Sequence, residues 1–219
     1  MRVLILIAHA DPQKIATAYR IANAAQESLT SCGHEVRVVD LISEGFDKVM
    51  TMDDFIQKKT ANFDYPANYK KGNLVTNITA QHDNIMWCTN ILIIGPIWCY
   101  KYPACLYSYI ERVLTDIQRP NVTVSMVISV ATGPDFYTKS SAGTLEQFLY
   151  SVYFAFNSNG YKITRPLGFY NAGPFGNNDK SYEERWISSF KKAVLKLDNW
   201  EPWDTNSNKP AATPDSIVK

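Results

Sequence analysis

Three short stretches of this sequence hold side chains whose types and spacing suit chemistry. The first runs from His9 to Ala16, with His9, Lys14 and the following Thr17 as donors of hydrogen bonds or charge. It sits between an apolar run, Val3 to Ala8, and a helical pattern. A loop so placed abuts a helix N-terminus, whose free N–H groups and dipole favour an anion such as a phosphate. The alternative is an ordinary connecting loop in which His9 merely caps a neighbour. Neither GxGxxG nor GxxxxGK[ST] occurs, so the usual dinucleotide and P-loop signatures are absent.

The second stretch is Pro96-Ile97-Trp98-Cys99-Tyr100-Lys101-Tyr102-Pro103. Clustered aromatics are costly in a plain solvent-facing loop and sensible beside a planar ligand, because Trp and Tyr join a flat apolar body to a polar handle. The alternative is a subunit interface or packing on the core. Nothing local lowers the pKa of Cys99, so it reads as a passive wall rather than a nucleophile. The third stretch is Ala131-Thr132-Gly133-Pro134-Asp135-Phe136-Tyr137. Its small residues let backbone N–H groups approach a ligand, and Tyr137 adds a hydroxyl. A phosphate loop with aromatic and small-residue loops would suit a flavin mononucleotide or dinucleotide.

The elements that must position these loops alternate along the chain. Val3 to Ala8, Ile91 to Ile94 and Val122 to Val130 are continuous apolar runs, as in strands covered on both faces. His34 to Leu41 and Tyr161 to Tyr170 supply the remaining strands. Helical spacing marks Thr17 to Ser31, Ile78 to Cys88, Cys105 to Leu114, Leu145 to Phe156 and Tyr182 to Leu197. The expectation is an α/β fold with a doubly wound, five-stranded parallel sheet and helices on both faces. Ligands then sit beyond the carboxyl ends of the strands, where the three loops emerge. Residues 1–200 form the expected domain and 201–219 a C-terminal tail, in which Asn206 to Lys219 is rich in Pro, Asn, Ser and Thr and is expected to end loosely. Gly45 to Gly72 breaks the alternation and is expected to fold over the sheet or a neighbouring subunit. Phe148 and Phe154 are expected in the core, and Tyr102 at the ligand-binding edge.

Composition narrows the class. The chain has 219 residues, with 22 Lys and Arg against 21 Asp and Glu, a formal charge of +1 that argues against nucleic-acid binding. A mean hydropathy of −0.21 argues against a polytopic membrane protein, and no membrane insertion is expected. Four cysteines and three histidines show no zinc spacing, so no metal site is expected. The apolar start is too short for a secretory signal, which makes reduced thiols and a cytoplasmic location the expectation.

His9, Asn62-Phe63-Asp64-Tyr65, the Pro96 to Pro103 loop leading to Ile110-Glu111-Arg112-Val113, and Ala131-Thr132-Gly133 with Tyr137-Thr138-Lys139 occur in one order. Together they resemble the NAD(P)H:quinone oxidoreductases, flavodoxin-like flavoproteins, over about residues 2 to 200. The resemblance implies a flavodoxin-like sheet, a homodimer, and FAD rather than FMN held at the dimer interface. NADH or NADPH and then a quinone, or another planar acceptor, would use one pocket in a two-electron ping-pong cycle. By position, His9 would lie at the FAD pyrophosphate. Pro96 and Ile97 to Tyr100 would run beside the isoalloxazine, with a main-chain N–H near N5. Thr132 and Gly133 would face the pyrimidine end, and Tyr137 would sit near O2 to stabilise the charge of reduced flavin. His82 matches a Gln that reaches the other subunit's FAD, and Arg185 the arginine of a closing helix near the adenylate.

The chain departs from that family in several places. Ala16-Thr17-Ala18 replaces a Ser-Phe-Asn, with Thr17 supplying a hydroxyl and Lys14 a charge. No relay histidine stands in the region of Ala142 and Gly143. The loop after Val113 is short, and Pro134 replaces a glycine. A flavin-binding regulatory subunit of a transporter, or a reductase of azo or nitro compounds, are the alternative functions.

Overall fold

The structure, a computed structural model, describes residues 1–58, 63–115, 117–139, 143–172, 180–205 and 211–218. Strands β1 (Arg2–Ile7), β2 (Glu35–Asp40), β3 (Asn90–Pro96) and β4 (Thr123–Ser129) are followed by two short strands, β5 (Lys162–Ile163) and β6 (Leu167–Phe169). Both short strands pair with β4, so the sheet runs β2-β1-β3-β4 and then β5 and β6 end to end, all parallel. The chain reverses direction across the sheet between β1 and β3, which opens a crevice at their carboxyl ends.

The expected apolar runs form the central strands because both sheet faces are covered. Leu4 and Leu6 of β1 face one core with Ile91 and Ile93, while Val3, Ile5 and Ile7 face a second core with Leu92 and Ile94. Helices α1 (Thr17–Ser31) and α7 (Lys180–Ala193) close the second face through Ile21, Ala25, Leu29, Trp186 and Phe190. Helices α3 (Thr76–Trp87), α4 (Ala104–Val113) and α6 (Leu145–Asn157) close the first. The elements α2 (Tyr65–Lys70), α5 (Phe136–Lys139) and α8 (Pro214–Val218) are short.

Four expectations are corrected. The last strand is not continuous: it breaks at Thr164–Pro166, where the Arg165 N–H turns to the Glu201 carbonyl (2.8 Å) and Pro166 has no N–H to give. The described part of the tail, residues 201–205 and 211–218, is tied to the sheet rather than ending loosely. Trp203 donates its N–H to Ile163 (2.9 Å), and Ala212 accepts from Gly168 (2.9 Å) and donates to Pro166 (2.8 Å), covering the open sheet edge. Tyr102 is fully buried, its hydroxyl directed at the Val127 carbonyl (3.4 Å). Phe154 is 57% exposed and lies with Tyr150 on the outer side of α6, while Phe148 is partly buried.

The described parts of the segment from Gly45 to Gly72, residues 45–58 and 63–72, fold over the sheet of their own chain. Phe46, Phe55 and Tyr65 join the first core, and a buried pair anchors them. Arg112 of α4 grips Asp54 with two N–H groups (2.7 and 3.1 Å) and donates to the Gly45 carbonyl (2.9 Å). The Tyr65 hydroxyl also donates to Asp54; burial, and then this bond, push the phenol's pKa up. Asn62, of the sequence resemblance, lies outside the described residues. Among those described, no helix is long and apolar enough to cross a membrane.

Candidate functional site

A cavity of about 770 Å³ opens at the carboxyl ends of β1, β3 and β4, within the usual range of roughly 300–1,000 Å³ for ligand sites. His9 and Thr17 of the first stretch, Pro96, Ile97, Trp98 and Cys99 of the second and Ala131 of the third line it, so residues from all three meet on one surface. Ser129, Val130 and Ala131 form its floor at the end of β4.

The first wall is built around Asp11. Its carboxylate accepts from the N–H groups of Gln13 (3.0 Å), Ile15 and Ala16 (both 2.9 Å), and these bonds hold its pKa below the usual carboxylate range. The turn passes through Lys14 at φ 56° and delivers α1 with the N–H groups of Thr17 and Ala18 at its open end. His9 accepts from the Asp11 N–H at Nδ1 (3.0 Å), which places the proton of the neutral ring on Nε2. Burial lowers the His9 pKa against the pull of Asp11 and Asp40, so the ring is a neutral donor at pH 7. Its edge meets Trp98, with centroids 5.0 Å apart.

The second wall is a tight hairpin. Trp98 and Lys101 exchange backbone hydrogen bonds (2.8 and 3.1 Å), and Cys99 and Tyr100 take φ 49° and 63° at its tip. Positive φ at both central residues is the geometry of a type I′ turn, which favours Asn and Gly, so this non-glycine pair stores strain at the cavity rim. The Ile97 N–H is given to Ser129 (3.0 Å) and the Trp98 N–H to Lys101. The main-chain donors left in the hairpin are those of Cys99 and Tyr100.

Beyond Ala131, the rest of the third loop stands just outside the cavity lining. Thr132 Oγ1 is buried without a hydrogen bond of good geometry, beside the Tyr137 hydroxyl. Burial raises the Tyr137 pKa, Thr132 restrains the rise and Tyr100 adds to it, so the phenol keeps its proton at neutral pH. Phe148 touches both Tyr100 (5.1 Å between centroids) and Tyr137 (6.1 Å), joining the second and third loops. Gly133 lies against Asn171, whose Oδ1 is 3.5 Å from where a Cβ would project.

Of the expected residues, Tyr100, Thr132, Gly133 and Tyr137 stand outside the lining of the cavity, and Lys14, His82 and Arg185 are engaged elsewhere. Lys14 pairs with Asp40 at the end of β2 (2.9 Å) and donates to Ser43 (3.2 Å). His82 is 3% exposed, with its Nε2 3.1 Å from the Val113 carbonyl and its ring 4.4 Å from that of Tyr69. Arg185 lies on α7, bonded to Ser181 (2.9 Å), beside a separate depression lined by Tyr182 and Asp215. Sequence reasoning missed Arg20 and Ala172, which line the cavity. The signal for Arg20 was its place one turn after Thr17 on the same helix.

An orphaned Thr132 hydroxyl, an exposed Trp98 face and unspent N–H groups at a helix start and a hairpin tip fit a flat, hydrogen-bonding group with an anionic tail. Comparison with known proteins identifies the fold and its family. The NAD(P)H dehydrogenase (quinone) 1 of Rattus norvegicus is 31% identical over 119 residues, covering 52% of this chain and 43% of that protein. The chain thus matches less than half the length of this curated relative. The NAD(P)H:quinone oxidoreductase of Methanothermobacter marburgensis shares the fold with a TM-score of 0.69 at 19% identity, covering 90% of this chain and 97% of that one. General stress protein 14 of Treponema denticola, solved in complex with FMN, gives 0.60 at 13% identity over 90% of this chain and 98% of its own. Residues 1–189 match the model of the family described as having the flavodoxin-like fold, and the chain belongs to that family.

Proposed function

We propose that the protein is a flavin-dependent NAD(P)H oxidoreductase that reduces quinones by two-electron ping-pong transfer, with FAD as its flavin. The observation that carries this reading is the single cavity joining the His9 loop, the Trp98 hairpin and the end of β4. A bound flavin supplies the hydride relay between donor and acceptor. The protein's part is orientation and electrostatics. Trp98 walls the planar group, and the Cys99 and Tyr100 N–H groups offer main-chain hydrogen bonds at the hairpin tip. Thr132 and the protonated Tyr137 stand where developing negative charge would need donors. His9 and the start of α1 take the phosphate end.

FAD follows from the quinone reductase resemblance, while the Treponema protein holds FMN. The homodimer and the cytoplasmic location are part of the same proposal. Purified protein should be yellow and should bleach anaerobically with NADH or NADPH. Colour should return on adding a quinone, and chromatography of the released flavin should give FAD. Colourless protein that neither FAD nor FMN reconstitutes would overturn the reading. Flavin binding without turnover of quinone, azo or nitro acceptors would indicate a regulatory protein instead.

A further inference from the structure

Arg20 brings a full positive charge to the lining of the cavity, one helical turn after Thr17. Its guanidinium is held on three sides. Nη1 donates to the Ile15 carbonyl (2.6 Å), Nη2 to Thr17 Oγ1 (3.0 Å), and Nε and Nη2 together to the carboxylate of Glu183, with Nη2 at 2.9 Å. Glu183 belongs to α7, so the pair ties the first helix to the last long one. A guanidinium that meets a carboxylate through two parallel N–H groups presents the same planar fork that it offers a phosphate. Two other cations that the sequence offers for the phosphate end are committed elsewhere: Lys14 to Asp40, and Arg185 to Ser181 on the outer side of α7. His9 is neutral.

We propose that Arg20 is the specificity-determining residue that recognises the phosphate of the flavin's side chain, and that Glu183 is its internal competitor, holding the fork in place and yielding part of it to the incoming anion. This rests on the flavin reading given above. The Arg20 side chain is 48% exposed and that of Glu183 23% exposed, so the pair is screened by solvent and open to exchange. The phosphate monoester of FMN carries a charge of about −1.5 to −2, and the pyrophosphate of FAD carries two charges over two phosphates; either exceeds the single charge of a carboxylate, which favours it in that exchange. The positive group at the phosphate end therefore comes from α1 rather than from the closing helix.

Three flavins separate this role from a structural one. Riboflavin, FMN and FAD share the ring, and only the last two carry phosphate. The flavin-free full chain is titrated with each by fluorescence quenching. Arg20→Gln should weaken FMN and FAD binding about 10- to 100-fold and leave riboflavin within about threefold. Glu183→Gln, which keeps the arginine and frees its charge, should tighten FMN and FAD relative to riboflavin by about three- to tenfold. Equal losses for all three flavins in Arg20→Gln, or no gain in Glu183→Gln, would overturn the proposal while leaving the flavin reading standing. A wild-type chain that binds none of the three would remove both.

Discussion

Gly95 shows how one missing side chain sets the geometry of the cavity. It ends β3 beside β1, and a Cβ there would lie 2.7 Å from the Ala8 carbonyl oxygen and 3.2 Å from the Tyr102 ring. Backbone and a fully buried ring cannot yield cheaply, so Gly95→Ala should cost about 1–3 kcal/mol, read as a lower urea midpoint with unchanged m. Because Ala8 leads into His9 and Gly95 into Pro96, the same change should also weaken flavin binding. Tyr137 makes the opposite case, a side chain whose polar tip is dispensable for folding. Removing the hydroxyl in Tyr137→Phe leaves the ring contacts to Phe136 and Phe148 in place. Stability should stay within about 0.5 kcal/mol, while kcat falls about tenfold or more as one donor to the developing charge is lost. An unchanged kcat would remove Tyr137 from the catalytic set.

Between elements, the decisive contact is the Asp54–Arg112 pair, which fastens the segment after β2 to α4. Both side chains are about 95% buried, and the arginine also lies over the Phe46 ring at 5.0 Å. Removing one partner strands the other charge in the core. Arg112→Leu should therefore cost about 3–5 kcal/mol, whereas Arg112→Leu combined with Asp54→Leu should cost less than the sum of the single changes. A double-mutant cycle in urea checks the sign of that coupling. The sequence made the helix that carries Arg112 legible through its 3.6-residue period, but not the pair, whose members are 58 positions apart. The same limit hid the Arg20–Glu183 contact and the diversion of Lys14 to Asp40. The central strands were legible because a strand covered on both faces is a continuous apolar run whatever packs on it. The break at Pro166 and the edge covered by Trp203 and Ala212 were not, since both depend on where the C-terminal segment returns. Phe154 was misplaced because apolar content alone does not say which side of α6 meets the core.

Across the whole molecule, acid sensitivity should come from histidines the fold keeps neutral. Burial lowers the pKa of His9 and of His82 below the ordinary value of about 6.5. His82 is set between Tyr69 and the Val113 carbonyl, and its Nδ1 is buried without a partner. Protonating either ring is therefore harder in the folded chain than in the unfolded one. Between the depressed folded values and about 6.5 the unfolded chain binds more protons, so stability rises with pH across that window. As the pH falls through the folded values, that stability is lost. Above about pH 7 both rings are neutral in both states, and they contribute no slope. Urea midpoints measured from pH 5 to 8 should climb up to about pH 7 and then flatten with respect to these groups. His82→Gln keeps a polar side chain of similar reach and cannot titrate, so it should reduce the slope below pH 7 whatever its cost at pH 7.5. A His82→Gln slope equal to that of the wild type would show that the acid sensitivity arises elsewhere.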